Sequence, residues 1–431
     1  MEIVRLRELT GERRREMLGR ASALIVDPEV QEASRRALAA VRERGDEALL
    51  DYTERFDGLR MDRSSLAVDE GEIARARERL PAAVIDALGR AITRVRRYNE
   101  RLRPRDWMEE LEPGITAGVK FTPAAAAGLY VPSGKGRFPS TAVAMLTPAV
   151  VAGVPEIRLV VPPRPDGSVD EAVLVACDLL GVRTVYRCNG VAGIAALAVG
   201  TETIPAVPVI AGPGNPYVAA VQLAAQALGV QMLALLGPTE AVVLADASAD
   251  PHRAALDLLN EAEHGADSAA ILITDSTPLA RRVGELVGEM LADLPEDRRR
   301  YAQAALEGFG GIIVADSMAE AIAFVNEYAP EHLLVATRDP QETLAQIRHA
   351  GEVLLGQDTP FSAGNYAIGI PSALPTSRTA RAGSGITVLS FLKATSVASL
   401  DARGLAAVRP VIEALGRYEG FPAHVMAVTA R

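Results

Sequence analysis

The chain has 431 residues, 49% hydrophobic, 23% charged and only 4% aromatic, with a formal net charge of −10. This length predicts two or more domains, and the composition a globular protein with an aliphatic core. The acidic balance argues against nucleic acid or an anionic membrane as the main partner, and the two cysteines, Cys177 and Cys188, argue against a disulfide framework.

The first stretch, MEIVRLRELTGERRREM, is charged where a signal peptide needs an apolar core, so a cytoplasmic location is expected. Residues 1 to about 110 read as charged amphipathic helix, with Pro81 as a breaker. From about residue 126 short apolar strands such as GLYVP, EIRLVVPP, TVYRC and VPVIAGP alternate with helices, the βαβ signature of a mostly parallel sheet. The segment Tyr217–Leu236 carries no charge and approaches membrane-spanning length. Gln222, Gln226 and Gln231 interrupt it and Gly229 marks a stop, so a helix followed by a buried strand is expected. A second series follows Pro238: AVVLADA, AAILITD, GGIIVAD, LLVAT and EVLLG, separated by helices. Residues 357–385 are rich in Gly, Ser, Thr and Pro and read as a long functional loop. The last 45 or so residues read as helices. The expected fold is therefore α/β with two parallel-sheet units.

Within NEAEHGADS, Glu261 and His264 are three residues apart in the last turn of a helix. Asp250 is the expected N-cap, Pro251 suits the first turn and Gly265 suits C′. The spacing puts a carboxylate and an imidazole on one face, as a metal site needs. A solvated helix end with a dipole-favoured histidine has the same pattern. His252 and His349 sit in charged contexts and read as surface, and His424 alone reads the same way. In YAPEHLLVAT, Glu331 and His332 stand at the mouth of a strand, a usual active-site position in α/β folds, where a satisfied polar pair is the competing reading. Three glycine loops follow strands. VPSGKGRFPS offers Gly134, Lys135 and Arg137; CNGVAGIAA offers Gly190 and Gly193; IAGPGNPYVAA offers Gly212, Gly214 and Asn215. Helix N-termini there suit an anion, although tight βα turns need glycine anyway. None is a G-x-G-x-x-G with a downstream acid.

Together YVPSGKGRFPSTAVAM, GIAALAVGTETIPAV, AGPGNPYV, GPTEAVVLAD, EAEHGADSAAILIT, APEHL, LPTSRTARAGSG and the EG…AH tail resemble the histidinol dehydrogenase family over nearly the whole chain. The resemblance implies two incomplete Rossmann-like parallel-sheet domains with helical N- and C-terminal extensions, in an intertwined homodimer. It implies an N-terminal helical extension over residues 1–25, a first domain over 26–129 plus 240–385, a second, NAD-side domain over 130–239, and a C-terminal helical tail over 386–431 reaching the partner. It also implies one zinc per site, NAD, and oxidation of an alcohol to an acid in two hydride transfers with the aldehyde held between them. Carried onto this chain, the zinc ligands fall on Glu261, His264 and Asn365, with His424 from the partner. The family has Gln and Asp where this chain has Glu261 and Asn365, so carboxylate and amide have changed places and the charge is kept. Glu331 matches the residue that activates water and His332 the general base. The NAD side falls on Tyr130, Pro132, Gly134, Lys135, Gly190, Gly193, Gly212, Gly214 and Asn215, with Ala192 replacing a Gln.

The substrate side differs from the family pattern. Thr239 replaces a Ser, Ser372 a substrate-contacting His, Arg378 a Gly and Phe361 a Glu, whereas Glu419 matches the residue that holds the substrate ammonium. These changes point to a small polyol or amino alcohol with an anionic group, such as the dihydroxypropanesulfonate oxidised by one branch of the family, with the anion near Arg378. True L-histidinol dehydrogenase and a non-catalytic metal- or nucleotide-binding paralogue are the alternatives.

Overall fold

A computed structural model describes residues 3–20, 22–134 and 136–431. Among these residues the strands form three sheets. The first, all parallel, runs β1 (Ile3–Arg5), β11 (Gly311–Val314), β10 (Ala269–Thr274), β9 (Glu240–Ala245), β12 (His332–Ala336) and β13 (Glu352–Leu355). The second, also parallel, runs β6 (Thr184–Arg187), β5 (Ile157–Val161), β4 (Ala127–Tyr130), β7 (Val209–Ala211) and β8 (Gln231–Met232). Apart from the short β1, each runs outward through three strands and then restarts on the other side of its first strand. The direction thus reverses between β9 and β12 and between β4 and β7, where an open α/β sheet leaves a crevice. Strands such as AAILIT of β10 are buried throughout, as strands covered by helices on both faces must be.

The third sheet was not expected. β2 (Trp107–Glu112), β3 (Ile115–Pro123) and β14 (Leu392–Leu400) pair antiparallel, with Leu392 opposite Pro123 and Leu400 opposite Ile115. The last 45 residues are therefore not all helix. A nine-residue strand precedes the helices Ala402–Tyr418 and Pro422–Thr429. LKATSVASL carries no continuous apolar run, and its partner strand lies some 270 residues earlier, so no local pattern announces it.

The N-terminal helices pack otherwise than expected. Helix Pro28–Arg44 contacts helices Gly190–Val199 and Pro216–Gln226, Glu70–Arg79 contacts Glu171–Leu180, and Ala82–Leu102 contacts Pro139–Ala152. Leu38, Val41 and Leu49 share a core with Tyr130, Val160 and Ile194. Residues 28–102, expected with the first unit, thus cover the second sheet. Leu6, Met17 and Leu18 pack against the first. The helix break falls at Leu80 and Pro81, as the proline requires. In Tyr217–Leu236 the helix ends at Gln226 and Gly229 takes φ 84°, as its role as a stop requires. The following strand β8 is a two-residue edge, half-exposed rather than buried. Among the described residues no helix is long and apolar enough to cross a membrane.

Candidate active site

A cleft of about 300 Å³ opens between the two parallel sheets. Its lining draws on both: Pro132, Arg137, Phe138 and Pro213 from loops of the second, and Thr239, His264, Glu331 and His332 from the first. The strand edges that meet here are opposite. Glu331 and His332 lie at the amino end of β12, not at the carboxyl end where α/β sites usually sit, which corrects that part of the expectation. The carboxyl edge facing the cleft belongs to the second sheet, at the β4–β7 reversal.

Helix Pro251–Ala262 brings the candidate metal ligands to the amino edge. Asp250 caps it by accepting from the His252 amide at 2.8 Å, and Pro251 occupies the first turn. The helix ends at Ala262, with Glu263 as C-cap, and Gly265 is not among the positive-φ glycines, so the expected glycine cap does not form. Glu261 is wholly buried and His264 half-buried, 3.7 Å apart at Oε2 and Nδ1. His264 Nδ1 also lies 3.1 Å from the Asn260 carbonyl, which leaves Nε2 free of the helix. Asn365 sits on a π-helical turn, Gly364–Ile368, and its Nδ2 donates to Glu261 Oε1 at 3.0 Å. Asn260 Nδ2 donates to the same oxygen at 2.7 Å. Glu261 Oε2 is buried with no hydrogen-bond partner. A buried carboxylate oxygen without a donor, close to an imidazole, fits a cation.

Glu331 is held by the Glu240 amide, which donates to its Oε2 at 3.0 Å. Its Oε1 lies 3.6 Å from His332 Nε2. Burial is the main cause that pushes the Glu331 carboxyl up to about 8, with Glu240 and Glu261 adding repulsion against the His332 charge. Burial acts downward on His332, but Glu331, Glu352 and Glu261 outweigh it and push the imidazole up to about 10. The Glu352 carboxylate meets His332 Nδ1 directly, and the Phe361 ring stands edge-on to the imidazole at 6.0 Å. Behind them Arg20 pairs with Glu240 and lies 3.5 Å above the Tyr328 ring. The sequence reading missed Glu352, Glu240 and Arg20. A charged residue opening an otherwise apolar strand, as in EVLLG and EAVVLA, is the signal that could have found the first two.

The substrate-side residues divide. Thr239 and Ser372 line the cleft; Arg378 does not. Ser377 and Arg378 take φ 56° and 63°, and the Ser377 amide donates to both Glu240 oxygens at 2.9 and 3.0 Å. This turn directs Arg378 into the company of Arg381, Arg20 and Glu327, where burial and the two arginines lower its pKa. The guanidinium groups in the cleft lining are Arg137 and Arg298 instead. Glu419 and His424 are exposed on the C-terminal helices and outside the lining. Among the described residues of one chain no three His, Cys, Asp or Glu side chains gather into a metal group.

On the second sheet, Tyr130 ends β4 and is buried. A Cβ at Gly190 would lie 2.5 Å from its hydroxyl oxygen, and one at Gly212 2.5 Å from its Cβ. A Cβ at Gly193 would meet Val160 and one at Gly214 would meet Val218. These four glycines therefore satisfy close packing whatever else they do. Asn215 caps helix Pro216–Gln226 through the Val218 amide at 3.1 Å. Pro132 lines the cleft and Gly134 takes φ 104° with open space beside it. Lys135 lies outside the described residues.

The histidinol dehydrogenase family model matches residues 22–431. The chain is 39% identical to a histidinol dehydrogenase homolog of Colwellia psychrerythraea, over 100% of this chain and 96% of that one. It is 40% identical to histidinol dehydrogenase of Synechocystis sp., over 92% of each. The crystal structure of histidinol dehydrogenase from Elizabethkingia anophelis superposes with a TM-score of 0.92 at 32% identity, covering 100% of this chain and 96% of that one. The chain belongs to the histidinol dehydrogenase family.

Proposed function

We propose that this protein is a zinc- and NAD-linked dehydrogenase that oxidises a small primary alcohol bearing an anionic group to the carboxylic acid, in two hydride transfers with the aldehyde held between them. The observation that carries the reading is the convergence of Glu331 and His332 on the same cleft as His264 and Asn365. Glu261, His264 and Asn365 would hold the zinc, with His424 from a second copy of the chain. The Glu261–Asn365 hydrogen bond supports a complementary exchange of carboxylate and amide over a decayed site. Zinc there would hold and polarise the reacting oxygen. In its neutral form, which its raised pKa places on the alkaline side of neutrality, His332 takes the hydroxyl proton as hydride leaves, and Glu331 draws a proton from the water that attacks the aldehyde. Its carboxyl, pushed up to about 8, has a pKa suited to a base working near neutrality. NAD would lie along the carboxyl edge of the second sheet, at Tyr130, Pro132, Gly134, Gly190, Gly193, Gly212, Gly214 and Asn215.

Arg137 and Arg298, on separate elements of the lining, favour a sulfonate or carboxylate on the substrate. Ser372 and Thr239 would contact its hydroxyls. A second reading, L-histidinol, is favoured by Glu263, an acidic residue of the cleft lining suited to an ammonium group, and by the Glu419 match. Steady-state assays of the zinc-loaded protein with NAD compare dihydroxypropanesulfonate and L-histidinol. Turnover of the sulfonate at a far higher kcat/KM supports the proposal; turnover of histidinol alone replaces it with the second reading. No NAD reduction with any candidate alcohol, together with no stoichiometric zinc, would make the chain a binding paralogue.

A further inference from the structure

We infer that Glu352 is the positioning residue of His332: it keeps the proton on Nδ1, so that Nε2 is the nitrogen that accepts the substrate proton. The inference rests on the reading of His332 as the base and deepens it.

His332 and Glu352 are the first residues of the neighbouring parallel strands β12 and β13, and they are direct register partners. In-register partners on parallel strands project from the same face. The Glu352 carboxylate consequently meets His332 Nδ1 without any loop having to bring it there. A carboxylate only accepts hydrogen bonds, so Nδ1 must be the donor. The neutral imidazole then has its lone pair on Nε2, the nitrogen beside Glu331. As hydride leaves the alcohol carbon for NAD, the hydroxyl proton goes to Nε2 and the Nδ1 proton stays where it is.

Glu352 has little other occupation. Its side chain is 3% exposed, and Oε2 is buried with no hydrogen-bond partner. A carboxylate buried at such cost and bonded to one imidazole nitrogen acts through that imidazole. The room for it is made at Gly364, where a Cβ would lie 3.2 Å from each Glu352 oxygen. Gly364 immediately precedes Asn365 on the π-helical turn, so the carboxylate that orients the base also packs beneath the candidate metal-ligand loop.

The test uses the zinc-loaded full chain and has two independent arms. In nitrogen-15 spectra of the imidazoles, with His332 assigned by its loss in His332→Asn, Nδ1 is expected to stay protonated on both sides of the titration while Nε2 alone loses its proton. Loss of the Nδ1 proton first would overturn the inference, and this arm needs no substrate and no altered Glu352. In the kinetic arm, Glu352→Gln is expected to lower kcat by ~100-fold or more, as a mis-set tautomer does, with KM within about threefold and partial recovery in Glu352→Asp. An unchanged kcat, or a rise in KM alone, would count against it. If the unaltered protein turns over no alcohol, the proposed function fails, and the imidazole spectra still decide the role of Glu352.

Discussion

At the scale of single residues, the site is a cluster of buried carboxylates around one imidazole. Glu261, Glu331, Glu240 and Glu352 are all buried: Glu261 accepts from Asn365, Glu331 from the Glu240 amide, Glu240 pairs with Arg20, and Glu331 and Glu352 flank His332. Replacing Glu331 by Gln removes the carboxylate proposed to serve the second oxidation while leaving His332 in place. We expect the aldehyde step to slow by ~100-fold or more and the first hydride transfer to be largely kept. Rapid-quench measurement of NADH and aldehyde per site would show about one equivalent of NADH before the slow phase; loss of both steps together would assign Glu331 another role. Asp257 offers a pH test. Burial is the first cause that raises its carboxyl from 3.8 to about 6, although the Phe361 amide donates to it at 3.1 Å. The folded state thus binds this proton more tightly than the unfolded chain, so stability falls as the pH rises through that window. In chelator-treated protein, Asp257→Asn is expected to gain about 3 kcal/mol relative to the parent at pH 8 and nothing near pH 3, as read by denaturant melts.

At the scale of elements, the cleft lies between opposite ends of two sets of helices. Helix Pro251–Ala262 points its C-terminus at the amino edge of the first sheet, where the partial negative charge favours a cation and His264. Helices Gly190–Val199 and Pro216–Gln226 begin at the carboxyl edge of the second sheet, where the positive end of the helix dipole favours a phosphate. The proposed metal and dinucleotide sites thus fall on separate walls, set by strand direction. The wall proposed for NAD depends on close packing around Tyr130. A Cβ at Gly212 would also lie 2.8 Å from the Tyr130 carbonyl oxygen, which is backbone and cannot step aside. Gly212→Ala is expected to cost about 1–3 kcal/mol of stability and to weaken NAD binding several-fold, measured by thermal melts and titration. A melt within 1 °C of the parent would show that the turn has slack.

At the scale of the whole molecule, one chain exposes apolar surface that it does not cover. Tyr418 is 90% exposed, Met426 66% and Leu111 59%. Tyr418 and Met426 lie on the C-terminal helices, within residues 386–431 that the family resemblance carries to the partner, and Leu111 lies on the small antiparallel sheet that those residues help to form. If His424 completes a neighbour's metal site, His264→Ala and His424→Ala homodimers will each be inactive. Co-expressed, the two variants are expected to regain about a quarter of parental activity, since half the dimers are mixed and each has one intact site. No recovery would place all ligands within one chain. The small sheet itself joins residues 107–123 to 392–400.

The sequence by itself determined the parallel α/β class, most strand positions, the Glu331–His332 and Glu261–His264 pairs and the family, because each is written in a local run of residues. Apolar strands bounded by glycine and proline, and motifs a few residues long, need no knowledge of what lies across the fold. Only the tertiary structure decided the rest. It placed the Glu331–His332 pair at an amino edge, covered the second sheet with residues 28–102, and closed a third sheet with LKATSVASL. It turned Arg378 away from the cleft and brought in Arg137 and Arg298. It also made Glu352 a neighbour of His332, twenty residues apart in the chain but side by side in register. Strand pairing and loop direction come from contacts between distant segments, whose geometry is fixed only when the core closes.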